Sequence, residues 1–219
     1  MQKMPSKIKQ FDSRHYFRVM MLATFVFFAS AIVAVGAKAQ AGSEPQKIVE
    51  EVTQELFSEV KRFKNNELSE EAYFKSVQST LDNVVNFSFI AANVMGQQAY
   101  SKATAAQRQA FANVFREGLV KSYSKGISGY ANSEVKVVSV NPDKNNAKRV
   151  TVQQEVSDNG TVHKLDYTMV QGKSGEWKVI NVTLNGVNLG MSFSSQFKSA
   201  ARKHSNDLDK VIANWLADV

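Results

Sequence analysis

Near Ala131 the spacing of apolar residues changes from the three-to-four interval of a helix to alternation, and a chain divided in this way must pack helices against a sheet. Upstream, Ile48, Val52, Leu56, Val60 and Phe63 recur at helical spacing and run into the polar stretch Lys64-Asn65-Asn66. Ser43, with Gln46 three residues on, resembles a capping box, and Pro45 suits a first helical turn. A second helix opens at Ser69-Glu70-Glu71 and carries Tyr73, Val77, Leu81 and Val84. A shorter one, Phe87 to Met95, is expected to stop at Gly96 in a left-handed cap. The strongest helical pattern begins at Thr104, with Gln107 at capping-box distance. It places Phe111, Val114, Phe115, Leu119 and Tyr123 on one face.

Downstream, four strands are expected: Val135 to Val140, Lys148 to Val156, Val162 to Val170 and Glu176 to Leu184. Asn141-Pro142-Asp143, Asp158-Asn159-Gly160 and Gly172-Lys173-Ser174-Gly175 separate them. Connections this short require antiparallel neighbours, because parallel strands need long crossovers. Gly186 to Phe193 reads as a loop or irregular strand, and Ser195 to Lys203 and Asp207 to Trp215 as two closing helices. The expected class is α+β: N-terminal helices packed over a curved four-stranded antiparallel sheet, then closing C-terminal helices.

The chain of 219 residues opens with a basic lead, Lys3, Lys7, Lys9, Arg14 and Arg18, followed by an uncharged run from Val19 to Ala37. Small residues follow as Ala37-Lys38-Ala39 and Ala39-Gln40-Ala41, the pattern of a cleaved secretory signal, so residues 1–41 are expected to be removed and 42–219 to form one domain. An uncleaved anchor is the alternative, since the run approaches the ~20 residues that span a bilayer. The net charge of +7 belongs mostly to this lead. Residues 1–41 hold six of the 27 Lys and Arg but one of the 20 acids, which leaves 21 against 19. A near-neutral remainder predicts no nucleic-acid partner. The absence of cysteine excludes disulfides, thiolate metal sites, cysteine nucleophiles and a lipidated cysteine leader.

The sequence carries no HExxH, GxSxG, Walker loop or dinucleotide fingerprint. His163 with Asp166 could be drawn as a base and its orienting partner, but positions 163 and 166 of a strand point to opposite faces. The Asn-x-Ser/Thr triplets at Asn86, Asn159 and Asn181 matter only in a eukaryotic secretory pathway. Apolar surface is plentiful on the sheet: Val150, Val152 and Val156; Leu165, Tyr167 and Met169; Trp177 and Val179 alternating against Ile180, Val182 and Leu184. A curved sheet with this lining, covered by the Phe111/Phe115/Leu119/Tyr123 helix, can enclose a cavity or be a filled core. Apolar stripes at these periods more often mean packing.

Two blocks of sequence say more than their periodicity. Phe87-Ser-Phe-Ile-Ala-Ala-Asn-Val-Met-Gly96 is followed by Ala103-Thr104-Ala-Ala-Gln107-Arg108-Gln-Ala-Phe111-Ala-Asn-Val-Phe115-Arg116-Glu-Gly-Leu119-Val-Lys-Ser-Tyr123. Gly175-Glu-Trp177-Lys178-Val179-Ile-Asn-Val182-Thr-Leu-Asn-Gly186-Val187-Asn-Leu189 leads to Phe193-Ser-Ser-Gln196-Phe197. Together they resemble the MlaC family of periplasmic phospholipid-binding proteins, also called toluene-tolerance proteins, over nearly all of the chain beyond the leader. Gln97-Gln98-Ala99-Tyr100 departs from the family in having one aromatic, and Lys203-His204-Ser205-Asn206 replaces a turn that commonly contains glycine.

The resemblance implies helices and a curved sheet enclosing an apolar pocket for phospholipid tails, with no reaction and no cofactor. It implies docking to an outer-membrane lipoprotein complex and to an inner-membrane ABC transporter with its MCE-domain ring, in upkeep of outer-membrane lipid asymmetry; a monomer is expected. The pocket role carries over to Val94, Met95, Phe111, Phe115, Leu119, Tyr123, Leu165, Tyr167, Met169, Val182, Leu184 and Val187, some of them as ordinary core. Two tails of about 16 carbons hold ~30 methylenes, and at ~0.8 kcal/mol each their exposure to water costs more than ~20 kcal/mol. A carrier must therefore hide the tails yet leave the head near the surface, because burying an unpaired phosphate is costly. Without a Gly-rich phosphate cradle, weak head-group selectivity is expected. The rival readings are an enzyme on a cone-shaped NTF2-like fold, with Asp166 as its base, and a structural envelope adaptor with a collapsed core.

Overall fold

The computed structural model describes residues 43–130 and 132–218. The expected signal segment and its cleavage sites lie outside the described residues. Six helices and five strands follow in order: α1 (Glu44–Lys64), α2 (Glu70–Val84), α3 (Phe87–Lys102), α4 (Ala105–Ile127), a 3-10 turn (Ser128–Tyr130), β1 (Glu134–Pro142), β2 (Arg149–Asp158), β3 (Thr161–Gln171), β4 (Trp177–Leu184), β5 (Val187–Asn188), α5 (Leu189–Lys203) and α6 (Leu208–Asp218). Among the described residues no helix is long and apolar enough to cross a membrane.

Local chemistry explains the helix starts. Thr104 Oγ1 accepts from the Gln107 N–H at 3.1 Å while Gln107 Oε1 accepts from the Thr104 N–H at 3.0 Å, a complete capping box. Ser69 likewise caps α2 through the Ala72 N–H. Ser43 sits at the N-cap of α1 with Pro45 in the first turn, but its side chain makes no cap bond. Thr104→Ala is therefore expected to cost about 1 kcal/mol, and Ser43→Ala to stay within about 0.5 kcal/mol of zero. Urea denaturation of the two variants checks the contrast. At Gly96 the helical path does break, with φ 72° and ψ 162°, but the chain resumes helical geometry and α3 runs on to Lys102 as a kinked pair. Its ψ is extended, so this is a glycine-dependent kink and not a left-handed cap.

The sheet is an antiparallel meander in the order β1-β2-β3-β4-β5. The sequence reading gave it four strands. The fifth is created by Asn185-Gly186, which takes φ 49° and 83° just as Asn159-Gly160 takes 47° and 81°, and both are two-residue hairpin turns. The segment expected to be a loop is instead β5 followed by helix. Asn188 Oδ1 accepts from the Met191 N–H at 3.0 Å and starts α5 at Leu189. The Gly190 N–H then bonds Asn181 Oδ1 at 3.2 Å, docking α5 on β4. Register shifts between Val137 and Ser139 and between Thr168 and Met169 mark bulges, which bend and twist the strands. After α5, Ser205 and Asn206 take φ 55° and 62°, so the turn that lacks glycine still uses backbone geometry that glycine adopts freely.

Three apolar clusters divide the interior. One is helical: Phe111 and Phe115 of α4 pack with Phe193 and Phe197 of α5, Trp215 of α6, and Val94 and Met95 of α3. A second joins Val60 of α1, Tyr73 and Val77 of α2, and Val120 of α4. The third lies between α1 and the sheet.

Candidate functional site

Strand register sorts the sheet's residues by face. Val150, Val152, Gln154 and Val156 of β2 stand opposite Met169, Tyr167, Leu165 and His163 of β3. Across the next ladder, Met169, Tyr167 and Leu165 meet Val179, Val182 and Leu184 of β4. Residues paired in this way share a face, and the bulge that leaves Ile180 unpaired opposite Thr168 and Met169 brings Val179 round to the face of Val182 and Leu184; α1 lies against that face through Ile48 and Val49.

This inner face is sealed at one end and open at the other. Val152 and Met169 are 0% exposed, and Val150 and Val179 are buried with them. Leu165, Tyr167, Val182 and Leu184 face the same way yet keep accessible surface. The open end lies beside the two Asn-Gly hairpins. There the Tyr130 ring, just past α4, meets His163 edge-on at 5.4 Å, and Asn185 Nδ2 lies 3.3 Å from His163 Nδ1. An apolar surface that is turned inward yet keeps accessible area can shelter hydrocarbon that would otherwise meet water.

One polar side chain interrupts the apolar face near the border of the two halves. Gln154 is 3% exposed. Its Nε2 donates to Thr53 Oγ1 of α1 at 3.0 Å, and its Oε1 accepts the Tyr167 hydroxyl at 3.0 Å. A buried amide without partners would cost ~1–3 kcal/mol. The two bonds remove that cost and tie α1 to the sheet.

Burial pushes the pKa of the Tyr167 phenol well above its ordinary value of 10.0. It raises Tyr123 as well, and Tyr73, where the Glu59 carboxylate adds to the effect. In the unfolded chain these phenols ionise near 10, and in the fold only at higher pH. Their contribution is thus fully present below pH ~10 and is lost as pH rises past it. The urea midpoint should fall steeply above that pH, and Tyr167→Phe should make the fall shallower.

The twelve residues proposed from sequence separate into groups. Leu165, Tyr167, Val182 and Leu184 come together on the open half, and Met169 sits at the sealed end. Val187 pairs with Leu184 from β5 and is 37% exposed. Val94, Met95, Phe111 and Phe115 are buried in the helical cluster, with Leu119 and Tyr123 partly buried at its margin. The long helix α4 therefore does not roof the sheet; its aromatic face is taken by α5 and α6, and α1 covers the sheet instead. Thr53 and Gln154 escaped the sequence reading, although a glutamine in step with Val150, Val152 and Val156 was a visible signal. Asp166 stands in register with Gln153 and Thr183, on the face opposite Tyr167, so the base of the enzyme reading points away from the apolar face.

A surface groove of about 490 Å³ runs between α2 and α4, and a second of about 440 Å³, sharing Asn113 and Arg116 with it, lies where the start of α3 and α4 meet Glu176 and Lys178. Neither touches the sheet's inner face.

A sequence model of the MlaC protein matches residues 50–217, from within α1 to within α6. The chain belongs to the MlaC family. It is 33% identical over 181 residues to the toluene tolerance protein Ttg2D of Pseudomonas putida, covering 82% of this chain and 83% of that one. A phospholipid-binding protein from Ralstonia solanacearum, solved in complex with a phospholipid, superposes with a TM-score of 0.68 at 22% identity, covering 80% of this chain and 99% of the other. The α+β fold is thus one that this family member shares with a solved lipid-binding protein.

Proposed function

We propose that this MlaC-family protein is a periplasmic carrier that holds phospholipid tails against the open half of the sheet and moves the lipid between the outer and inner membranes. The observation that carries the reading is the inner face itself, apolar, sealed at the Val152/Met169 end and open at the Leu165/Leu184 end. Tails lying there would be spared part of the water contact that costs more than ~20 kcal/mol in full, while the head stays at the hairpin end near solvent. The Ralstonia protein, of the same fold, holds a phospholipid, which supports this choice of ligand. On this reading residues 1–41 direct export and are removed, residues 42–219 form the lipid-binding domain, and the protein meets an outer-membrane lipoprotein complex at one end of its route and an MCE-domain ABC transporter at the other.

The test is native mass spectrometry of the protein purified from the periplasm without detergent, followed by lipid extraction. The expected result is a stoichiometric phospholipid adduct whose head groups follow membrane composition, since the open end offers polar side chains but no phosphate cradle. A bare chain, unaffected in stability by added phospholipid, would sink the carrier reading. One head-group class alone, drawn from a mixed membrane, would sink the tail-only recognition.

A further inference from the structure

We infer that the ring of Tyr167, held by Gln154 and Thr53, is the floor of the tail site and sets the acyl-chain length the protein accepts. The inference rests on the carrier reading and adds to it the residues that measure the ligand. Three observations converge. The inner face changes from sealed to open along β3, with Met169 at 0% exposure on one side of the change and Leu165 partly accessible on the other; Tyr167 is the inward residue between them. Its hydroxyl is not at the surface, as tyrosine hydroxyls commonly are, but donates to Gln154 Oε1 at 3.0 Å, so the ring is anchored at its far end. Gln154 is itself fixed by its bond to Thr53 on α1, so the floor is braced from the sheet and from the helix at once.

On the N-terminal side of this brace α1 packs on the sheet through Val49, and two turns past it Val60 packs with Tyr73, Val77 and Val120 of the helical layer. A polar brace among apolar side chains adds little to packing that leucine and valine could not supply, but it gives one defined ring position, which a length limit requires.

A tail growing toward the ring gains about fourfold in affinity per methylene buried, until the next methylene has nowhere to go. The experiment loads the delipidated protein from vesicles of phosphatidylglycerols with saturated tails of stepped length in equal amounts, and reads the bound lengths by mass spectrometry. For the unaltered protein the bound fraction should climb with length and then break. In Tyr167→Ala the break should move to longer tails by about two methylenes, a gain of roughly fifteenfold for the lengths previously excluded. Gln154→Leu, which keeps the volume but frees the ring, should blunt the break to less than about threefold between neighbouring lengths, while Asp166→Asn, on the opposite face of β3, should leave it in place. A break unmoved in folded Tyr167→Ala, or still sharp and unmoved in Gln154→Leu, overturns the inference; should Tyr167→Ala not fold, Gln154→Leu decides alone. Failure of the unaltered protein to take up any length would instead overturn the carrier reading.

Discussion

Replacing Leu184 by aspartate is expected to empty the protein of phospholipid while leaving it folded. Leu184 faces inward opposite Leu165, at the last position of β4 before the Asn185-Gly186 turn, and keeps accessible surface. In the ligand-free protein an aspartate there can reach water, so the fold should lose no more than ~1–2 kcal/mol. With tails in place the same carboxylate lies against hydrocarbon and must be protonated to be tolerated. Bringing an acid of pKa ~3.9 to its neutral form at pH 7 takes about three units, or ~4 kcal/mol, and a loss of affinity near a thousandfold. The sign of the pH dependence follows. Loading should recover about tenfold per unit as pH falls from 7 toward 4, and Leu184→Asn, which has no proton to gain, should show no such recovery. Native mass spectra across that range read both. A Leu184→Asp protein that stays fully loaded at pH 7 would take the tails off the sheet. An acidic substitution at Met169 is a different experiment: that side chain is fully enclosed at the sealed end, so the charge is expected to unfold the protein rather than unload it.

Trp215→Ala should give the largest loss of stability, about 3–5 kcal/mol. The Trp215 ring is 1% exposed and packs edge-on against Phe111 at 5.1 Å, with Phe115 and Phe197 at 6.2 Å each. With Val211 it is the buried anchor of α6, so truncation leaves both a cavity and a weakly held terminal helix. Against a total stability of ~5–15 kcal/mol, the melting temperature should drop by about 10 °C. Because this aromatic cluster is separate from the sheet's open half, protein that remains folded in the cold should keep its lipid. Loss of lipid from Trp215→Ala at a temperature where it is still folded would place the tails among the helices, and would restore Phe111 and Phe115 to the site.

Those two phenylalanines show where sequence reading reaches its limit. Their spacing marks one buried face of α4 correctly, but spacing cannot say what lies across from it, because an apolar stripe fits a sheet and a pair of helices equally well. The partner was decided by α5, whose start depends on Asn188 acting as an N-cap, a signal no stronger in the sequence than that of any other asparagine. The fifth strand was more legible. Asn185-Gly186 is the same hairpin pair as Asn159-Gly160, but the two residues of strand that follow it are too few to show an alternating pattern.

Near neighbours and the order of residues suffice for the division into helices and an antiparallel meander, the caps at Ser69 and Thr104, the shared face of Leu165, Tyr167 and Met169, and the family. Long-range packing is what lays α1 on the sheet, turns Val182 and Leu184 to the face of Tyr167, seals that face at Val152 and Met169 while Leu165 and Leu184 stay accessible, and brings Thr53, Gln154 and Tyr167 together across 101 and 13 residues of chain. Alternation fixes which face a strand residue is on; whether that face is filled or left open depends on the path of a distant helix, which no local pattern encodes.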